Sequence, residues 1–217
     1  MYYNMEQTQN NFIEQLETIT TKQRTHSQIG KSAKTKGKTG ERYFANYLST
    51  ITNKQFIRVP NSGAFVGQSN RTRLQHLQHS PQTIHLGDII CPIDIQYHLI
   101  FECKNYKNFS FSGLFINNTQ INKWLEELLY DVESAYMYIQ TNKPIIGFLL
   151  CKFTNKGNYI IYNPLLLYTL NPQITFPDIF LHFNYNVPAL LAQNYWGNVF
   201  HMTKFEDFIK KNMLFVT

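Results

Sequence analysis

The sequence predicts an α/β fold in which helices flank a mixed β-sheet. Apolar residues recur at helical spacing in two segments, 39–51 and 118–137, and most of the remaining apolar residues form short runs bounded by turn residues, which is typical of strands. The chain has 217 residues, of which 43% are hydrophobic, so it can bury one sizeable core. We therefore expect a single globular domain with additions at both ends.

The fold is predicted to begin with a helix and a strand. In the segment TGERYFANYLSTI, Thr39 is a suitable N-cap, and one apolar stripe comprises Phe44, Tyr47, Leu48 and Ile51. The segment QFIRV that follows is the first predicted strand, and the turn-forming PNSG ends it. Before the helix we expect a short amphipathic helix at 11–24 and a linker at 25–38, where Gly30 and Gly37 occur among Ser, Thr and Lys.

Further strands and two helices follow along the chain. The strands are predicted at GDIICPI (87–93), YHLIFECK (97–104), PIIGFLLCKF (144–153), YIIYNPLLLYTL (159–170) and GNVFHM (197–202). The long helix 118–137 has one face formed by Ile121, Trp124, Leu125, Leu128, Leu129 and Val132. Thr203 and Glu206 have the spacing of a capping box and predict a final helix. The predicted organisation is a helical, basic and flexible arm (1–37), a core (38–170) and a strand–helix extension packed on the core (171–217).

The charge of the chain favours a polyanionic partner such as nucleic acid. The formal net charge is +6. One acid-free stretch near the N-terminus carries Lys22, Arg24, Lys31, Lys34, Lys36 and Lys38. This stretch is either an arm that binds phosphates or a solvated leader.

The cysteines and the hydropathy pattern favour an intracellular, soluble protein. Cys91, Cys103 and Cys151 lie in apolar runs without a CxxC pair, which is typical of reduced core residues. We find neither a signal peptide nor an apolar run long enough to cross a membrane. The chain is rich in Asn, Ile, Phe and Tyr and poor in Ala, which would suit the AT-rich genome of a phage, an organelle or a mobile element.

Charged residues interrupt the predicted strand HLIFECKNY (98–106). Glu102 and Lys104 are two residues apart, so in a strand they point to the same face. Asp88 precedes Glu102 by 14 residues, about one strand, a turn and the return strand, so the three should lie near one another. Two carboxylates at one place can bind Mg²⁺, which polarises a phosphodiester and lowers the pKa of a bound water. Lys104 could orient that water or stabilise charge in the transition state. The alternative is an ordinary ion pair at a sheet edge.

A third carboxylate could belong to the same site. Glu41 lies in the first turn of the predicted helix 39–51, on the apolar stripe with Phe44 and Leu48, which directs it toward the sheet. The alternative is an acid that only stabilises the helix dipole.

Four motifs in order, GER, RVPNSGAF, GDII and IFECKN, resemble the nuclease superfamily with the PD-(D/E)XK signature. Their order is most similar to the archaeal and phage-type Holliday junction resolvases, over roughly residues 37–153. The resemblance implies a restriction-endonuclease-like fold and a Mg²⁺-dependent endodeoxyribonuclease acting on branched DNA, in which Mn²⁺ would substitute for Mg²⁺. Because a junction requires two matched incisions, we expect a homodimer.

The resemblance also implies roles for individual residues. Asp88 and Glu102 would bind the metal with help from Glu41, Lys104 would be the catalytic lysine, and Ser62 would contact the scissile phosphate or its water. Gln120 would face the site, unless it is simply solvated. The candidate DNA contacts are Lys31, Lys34, Lys36, Lys38, Arg42, Arg58, Arg71, Arg73 and Lys107.

The chain departs from the signature at two places. The loop 68–85 is longer than usual, and Gly87 stands where the signature has a proline. Basic side chains of the loop could bind phosphates, and His76 and His79 could alternatively bind zinc, although no Cys or acid lies close in sequence to complete the set. The alternative functions are a restriction-like, repair or homing endonuclease on duplex DNA, and a non-catalytic nucleic-acid-binding scaffold in a larger assembly.

Overall fold

The structure is a computed structural model that describes residues 25–60, 86–107, 109–111, 119–139, 141–176, 180–184 and 199–212. The chain divides into two compact units, Met1–Lys36 and Gly37–Thr217. The predicted helix at 11–24, Ser62 and the long loop with Arg71 and Arg73 lie outside the described residues.

The described part of the chain contains four helices and seven strands. The helices are α1 (His26–Thr52), α2 (Thr119–Tyr138), α3 (Pro164–Leu170) and α4 (Phe205–Lys211). The strands are β1 (Ile57–Arg58), β2 (Ile89–Ile90), β3 (His98–Tyr106), β4 (Ile145–Phe153), β5 (Gly157–Tyr162), β6 (Phe180–Asn184) and β7 (Val199–Lys204).

The strands form a mixed sheet, as the sequence predicts. Five strands follow the order β3-β4-β5-β7-β6, and β1 pairs with β2 in a separate antiparallel ribbon. The β3–β4 pair is parallel and is joined through α2, whereas the remaining pairs of the five-stranded sheet are antiparallel. The predicted α/β class, a restriction-endonuclease-like mixed sheet flanked by helices, is confirmed.

The hydrophobic core combines buried residues of α1, α2 and α4 with those of the central strands. Strand β4 is buried along nearly its whole length, which agrees with its continuous apolar sequence. From α2, Leu125, Leu129 and Val132 are fully buried, and these residues belong to the predicted apolar face. The opposite face of α2 is exposed and carries charged side chains such as Glu126.

The first helix is longer than predicted. Residues 26–38 are helical, so the expected linker and the expected N-cap at Thr39 are both wrong. Gly30 and Gly37 are typical of a linker. A glycine costs a helix only about 1 kcal/mol, however, and neighbouring lysine and alanine residues can offset this cost.

Two other local predictions are corrected near the C-terminus. The segment 164–170, predicted as part of a strand, is the helix α3. Asn163 caps this helix because its side chain accepts a hydrogen bond from the Leu166 amide (3.0 Å), and Pro164 suits the first helical turn. Thr203 is a buried residue of β7 and not an N-cap; α4 begins after Lys204 without a side-chain cap.

Helix α4 packs against α1. The ring of Phe205 lies 4.9 Å from that of Phe44 and 5.2 Å from that of Tyr47. The Tyr43 hydroxyl donates a hydrogen bond to Glu206 (2.8 Å). The predicted strand–helix pair at the end of the fold therefore supports the helix that carries Glu41.

Among the described residues, no helix combines the length and the apolar character that a membrane crossing requires.

Candidate active site

Asp88 connects the short ribbon to the main sheet. The Val59 amide donates a hydrogen bond to the Asp88 carbonyl (2.9 Å), and the Asp88 amide donates one to the Phe101 carbonyl (2.7 Å). Asp88 therefore lies between the end of β1 and the middle of β3, as the sequence spacing predicts.

The side chain of Asp88 is held against β3. Its Oδ2 accepts a hydrogen bond from the Cys103 amide (2.8 Å), and only 7% of the residue is exposed. Cys103 is the central residue of the ExK motif, so this bond keeps the Asp88 carboxylate beside Glu102 and Lys104.

Gly87 explains the missing signature proline. Its φ is +76°, and a Cβ at this position would lie 2.7 Å from the Phe101 carbonyl oxygen. Its amide donates a hydrogen bond to Asp131 Oδ2 on α2 (3.2 Å). Proline, with φ fixed near −65° and no N–H, could satisfy neither condition.

Glu102 and Lys104 share one face of β3, as predicted. Lys104 Nζ donates to Glu102 Oε1 (2.6 Å) and to Glu127 Oε2 on α2 (2.5 Å). The Glu102 and Lys104 side chains are only 15% and 16% exposed. A buried ammonium held by two carboxylates has a fixed position as well as a stable charge.

Burial and charge act in opposite directions on this ion pair. Burial raises the pKa of Glu102, and Lys104 offsets part of that effect. Burial acts to lower the pKa of Lys104, but Glu102 and Glu127 raise it by more, so the net pKa of the ammonium is raised. Because the two groups are in direct contact, each favours the charged form of the other.

Glu41 approaches the same strand from α1. Glu41 is 9% exposed and accepts a hydrogen bond from the Arg58 guanidinium. The preceding Gly40 lies against β3, where an added Cβ would be 3.0 Å from that of Asn105. Because α1 begins at His26, Glu41 is not in a first turn, so the helix-dipole alternative is wrong.

The negative charges of Asp88, Glu102 and Glu41 all influence one residue of β3. The pKa of the Cys103 thiol is raised well above its usual value, first by burial and then by the negative charges of Asp88, Glu102 and Glu41. The three acids thus act electrostatically on the residue at the centre of the ExK motif.

Among the residues that the structure describes, acidic groups outnumber cations in this region. The acids are Glu41, Asp88, Glu102, Glu127 and Asp131, and the cations with described ion pairs to them are Arg58 and Lys104. Burial, with a further contribution from Glu102, raises the pKa of Asp131 to about 7. Such an excess of negative charge favours a bound cation, and carboxylate oxygens are the donors that Mg²⁺ and Mn²⁺ prefer.

Within the described residues, no three His, Cys, Asp or Glu side chains are placed to hold a metal ion together as they stand. Glu41 and Glu102 are each engaged by a cation, Arg58 and Lys104 respectively. The residues therefore fit a divalent cation by donor chemistry and charge, and Glu41 and Glu102 would have to turn from these partners to bind it.

The structure also locates the predicted DNA contacts that it describes. Lys31, Arg42 and Lys107 are exposed, Lys36 and Lys38 are half-buried, and Lys34 lies in α1. Arg58 forms an ion pair with Glu41, and only 16% of its side chain is exposed. Its predicted contact with DNA therefore competes with its ion pair to Glu41. Gln120 is half-buried in the first turn of α2.

Glu127 and Asp131 were not predicted from the sequence. A usable signal was present, because Gln120, Glu127 and Asp131 follow i, i+7 and i+11 spacing, which puts them on one stripe of a helix. Trp124 lies on the same stripe and is 3% exposed, so these acids could have been expected to face the sheet.

The fold and the site together define a class of protein. An acid immediately before β2 and beside an ExK motif on β3, in a mixed sheet flanked by helices, is the arrangement of PD-(D/E)XK nucleases. The chain matches, over residues 32–213, the model of the family described as "Phage putative PDDEXK endonuclease". Because this match covers more than half of the chain, the chain belongs to that family, which supports a nuclease function and implies a DNA substrate.

Comparison with curated proteins and with solved structures found no match. The specific similarity to Holliday junction resolvases therefore stays a prediction.

Proposed function

We propose that the protein is a Mg²⁺-dependent endodeoxyribonuclease that cuts branched DNA, in the manner of Holliday junction resolvases. The observation that carries the proposal is the hydrogen bond from the Cys103 amide to Asp88 (2.8 Å), which keeps this acid beside the Glu102–Lys104 pair. The preference for branched DNA rests on the order of the sequence motifs.

In this proposal each acidic and basic group has a distinct role. Asp88 and Glu102 hold the metal, and Glu41 assists them. A bound divalent ion, Mg²⁺ or Mn²⁺, supplies polarisation of the phosphodiester and a lowered pKa of water. Lys104 orients the attacking water or stabilises charge on the phosphate, and Ser62 contacts that phosphate.

DNA affinity is assigned mainly to basic residues outside this cluster. The proposed contacts on α1 are Lys31, Lys34, Lys36, Lys38 and Arg42, with Arg58, Arg71, Arg73 and Lys107 elsewhere. Phosphate contacts of this kind give affinity that falls as salt rises. Gln120 is a further residue directed to the site.

The decisive experiment compares cleavage of four DNA substrates. A four-way junction, a flap, a plain duplex and a single strand are incubated with Mg²⁺, with Mn²⁺ or with EDTA. We expect junction cleavage with either metal and none with EDTA. Cleavage of plain duplex at one sequence would instead favour a restriction-like, repair or homing endonuclease, and no cleavage of any substrate would favour the scaffold function.

Substitutions separate catalysis from binding in the same assay. Asp88→Asn, Glu102→Gln and Lys104→Ala should each slow junction cleavage by about two or more orders of magnitude, while DNA binding survives. Asp94→Asn is the matched control, because the Asp94 side chain is 64% exposed and pairs only with a surface lysine among the ion pairs described. A variant that cleaves at the wild-type rate identifies its residue as a structural ion-pair or hydrogen-bond partner.

We also infer a homodimer, since two equal active sites suit a two-fold junction. The proposed interface is the apolar surface within residues 159–196. Leu165 and Tyr168, which are 50% and 56% exposed, belong to that range. Light scattering of the free protein and of its junction complex tests this state, and a monomer in both would contradict it.

A further inference from the structure

Lys104 is held by carboxylates from two different elements. Glu102 lies two residues away on β3, whereas Glu127 reaches Lys104 from α2 with an Oε2–Nζ distance of 2.5 Å. The Glu127 side chain is 30% exposed, compared with 15% for Glu102. Glu127 is therefore the more exposed of the two carboxylates that hold Lys104.

The two carboxylates differ in what else they are expected to do. Glu102 is a proposed metal ligand, and its oxygens cannot serve a metal ion and Lys104 equally. No such role falls on Glu127, whose only described ion pair is with Lys104. An ammonium as buried as that of Lys104 needs a partner in every state of the site, because an unpaired buried charge is strongly unfavourable.

We propose that Glu127 is a positioning residue that holds the Lys104 ammonium at the reacting phosphate when Glu102 turns to the metal. The inference rests on the nuclease function proposed above. Lysine has three N–H donors, so once Glu102 has turned to the metal the bond to Glu127 leaves two donors for the water or the phosphate oxygen. Glu127 thus acts through Lys104 and does not itself touch the substrate.

The neighbouring glutamate on α2 provides a matched control. Glu126 is exposed on the same helix. Glu127→Gln and Glu126→Gln remove the same charge from the same helix with the same change of shape. Only the first removes the ion pair with Lys104.

A double-mutant cycle tests whether Glu127 acts through Lys104. Single-turnover cleavage at saturating protein is measured for wild type, Glu127→Gln, Lys104→Ala and the double variant. We expect Glu127→Gln to cleave about 10- to 100-fold slower with unchanged DNA affinity, the scale for a misplaced catalytic group. In the Lys104→Ala background the same change should have no further effect. An equal loss in both backgrounds, or no loss in either, overturns the proposal.

A second measurement does not depend on activity. The exchange of the Lys104 ammonium protons with water is followed by ¹H–¹⁵N NMR in the metal-free protein. We expect slow exchange in wild type and in Glu126→Gln, and exchange several-fold faster in Glu127→Gln, because that variant lacks one of the two carboxylate partners. Equal exchange in all three proteins overturns the positioning role.

The two measurements separate this inference from the proposed function. A wild-type protein that cleaves no DNA contradicts the nuclease proposal, and the NMR comparison then decides whether Glu127 holds Lys104. A wild-type protein that cleaves, together with Glu127→Gln at the same rate, overturns the inference alone.

Discussion

Replacing Gly87 by alanine should weaken the fold and slow DNA cleavage together. Gly87 has a φ of +76°, and an added Cβ would lie 2.7 Å from the Phe101 carbonyl oxygen and 3.1 Å from Ile100 Cγ2. The backbone carbonyl cannot move without disturbing β3, since it also accepts the Asp88 amide at 2.7 Å. Relief of the clash must therefore displace the residue that carries the proposed catalytic acid.

The expected decrease in the free energy of unfolding combines two destabilising effects and one stabilising effect. A left-handed conformation costs an L-residue about 1–2 kcal/mol, and an extra methyl in a packed environment costs about 1–3 kcal/mol. Alanine restricts the unfolded chain more than glycine does, which returns about 0.4–1 kcal/mol. The free energy of unfolding should thus fall by about 1–5 kcal/mol, compared with the usual total of about 5–15 kcal/mol.

Urea denaturation without metal measures this loss, and cleavage is assayed at a temperature where the variant is folded. Gly30→Ala is the matched control, because an added Cβ there has no atom within 4 Å and alanine favours the helix by about 0.5–1 kcal/mol. A Gly87→Ala protein within about 0.5 kcal/mol of wild type would refute the reasoning. Gly87→Pro, which restores the signature residue, should be worse because it also removes the amide bonded to Asp131.

Three further predictions concern stability, DNA affinity and assembly. In the folded protein the pKa of Asp131 is raised from its usual 3.8 to about 7, because the ionised form is disfavoured there. Between about pH 4 and pH 7 the unfolded chain loses this proton while the folded protein keeps it, so the free energy of unfolding falls as pH rises through this range. Asp131→Asn keeps a hydrogen-bond acceptor and should raise the free energy of unfolding at pH 8 by about 1–4 kcal/mol in urea denaturation, whereas an unchanged value would contradict this cost. Replacing Lys31 and Lys36 by alanine should lower the slope of log affinity against log salt on duplex DNA by about 0.9 for each phosphate that the variant no longer neutralises. The control variant Lys210→Ala on α4 should leave this slope unchanged. An unaltered slope in the Lys31 and Lys36 variant means that these lysines do not contact DNA. Leu165→Asp should convert the dimer to a monomer in light scattering, and a persistent dimer would place the interface elsewhere.

The parts of the fold that the sequence predicted well are those in which burial determines the pattern. The helix at 118–137 and the strands around 98–104 and 144–153 have apolar residues at the spacing that each structure requires, and the structure has them within a few residues of those bounds. The same reasoning put Glu102 and Lys104 on one face, because side chains alternate along a strand.

The wrong predictions arose where a local signal had two meanings. A glycine inside a lysine-rich segment is compatible with a linker and with a helix, so the start of α1 was missed. The run after Asn163 is apolar enough for a strand, and the only local signal for a helix is the Asn-Pro pair, which suits an N-cap and a first helical residue. The bond between Gly87 and Asp131 joins residues 44 positions apart through packing of α2, which no local pattern reveals.

The docking of α4 on α1 has a consequence for how the protein is made. Tyr43 and Glu206, which are hydrogen-bonded, are separated by 163 residues in the chain. A ribosome must therefore synthesise the sheet, α2 and α4 before the helix that carries Glu41 acquires this support. A chain still emerging from the ribosome, or one whose translation stops before α4, lacks the complete scaffold of the site. The support that α4 gives to the helix carrying Glu41 is therefore complete only after residue 206 has been synthesised.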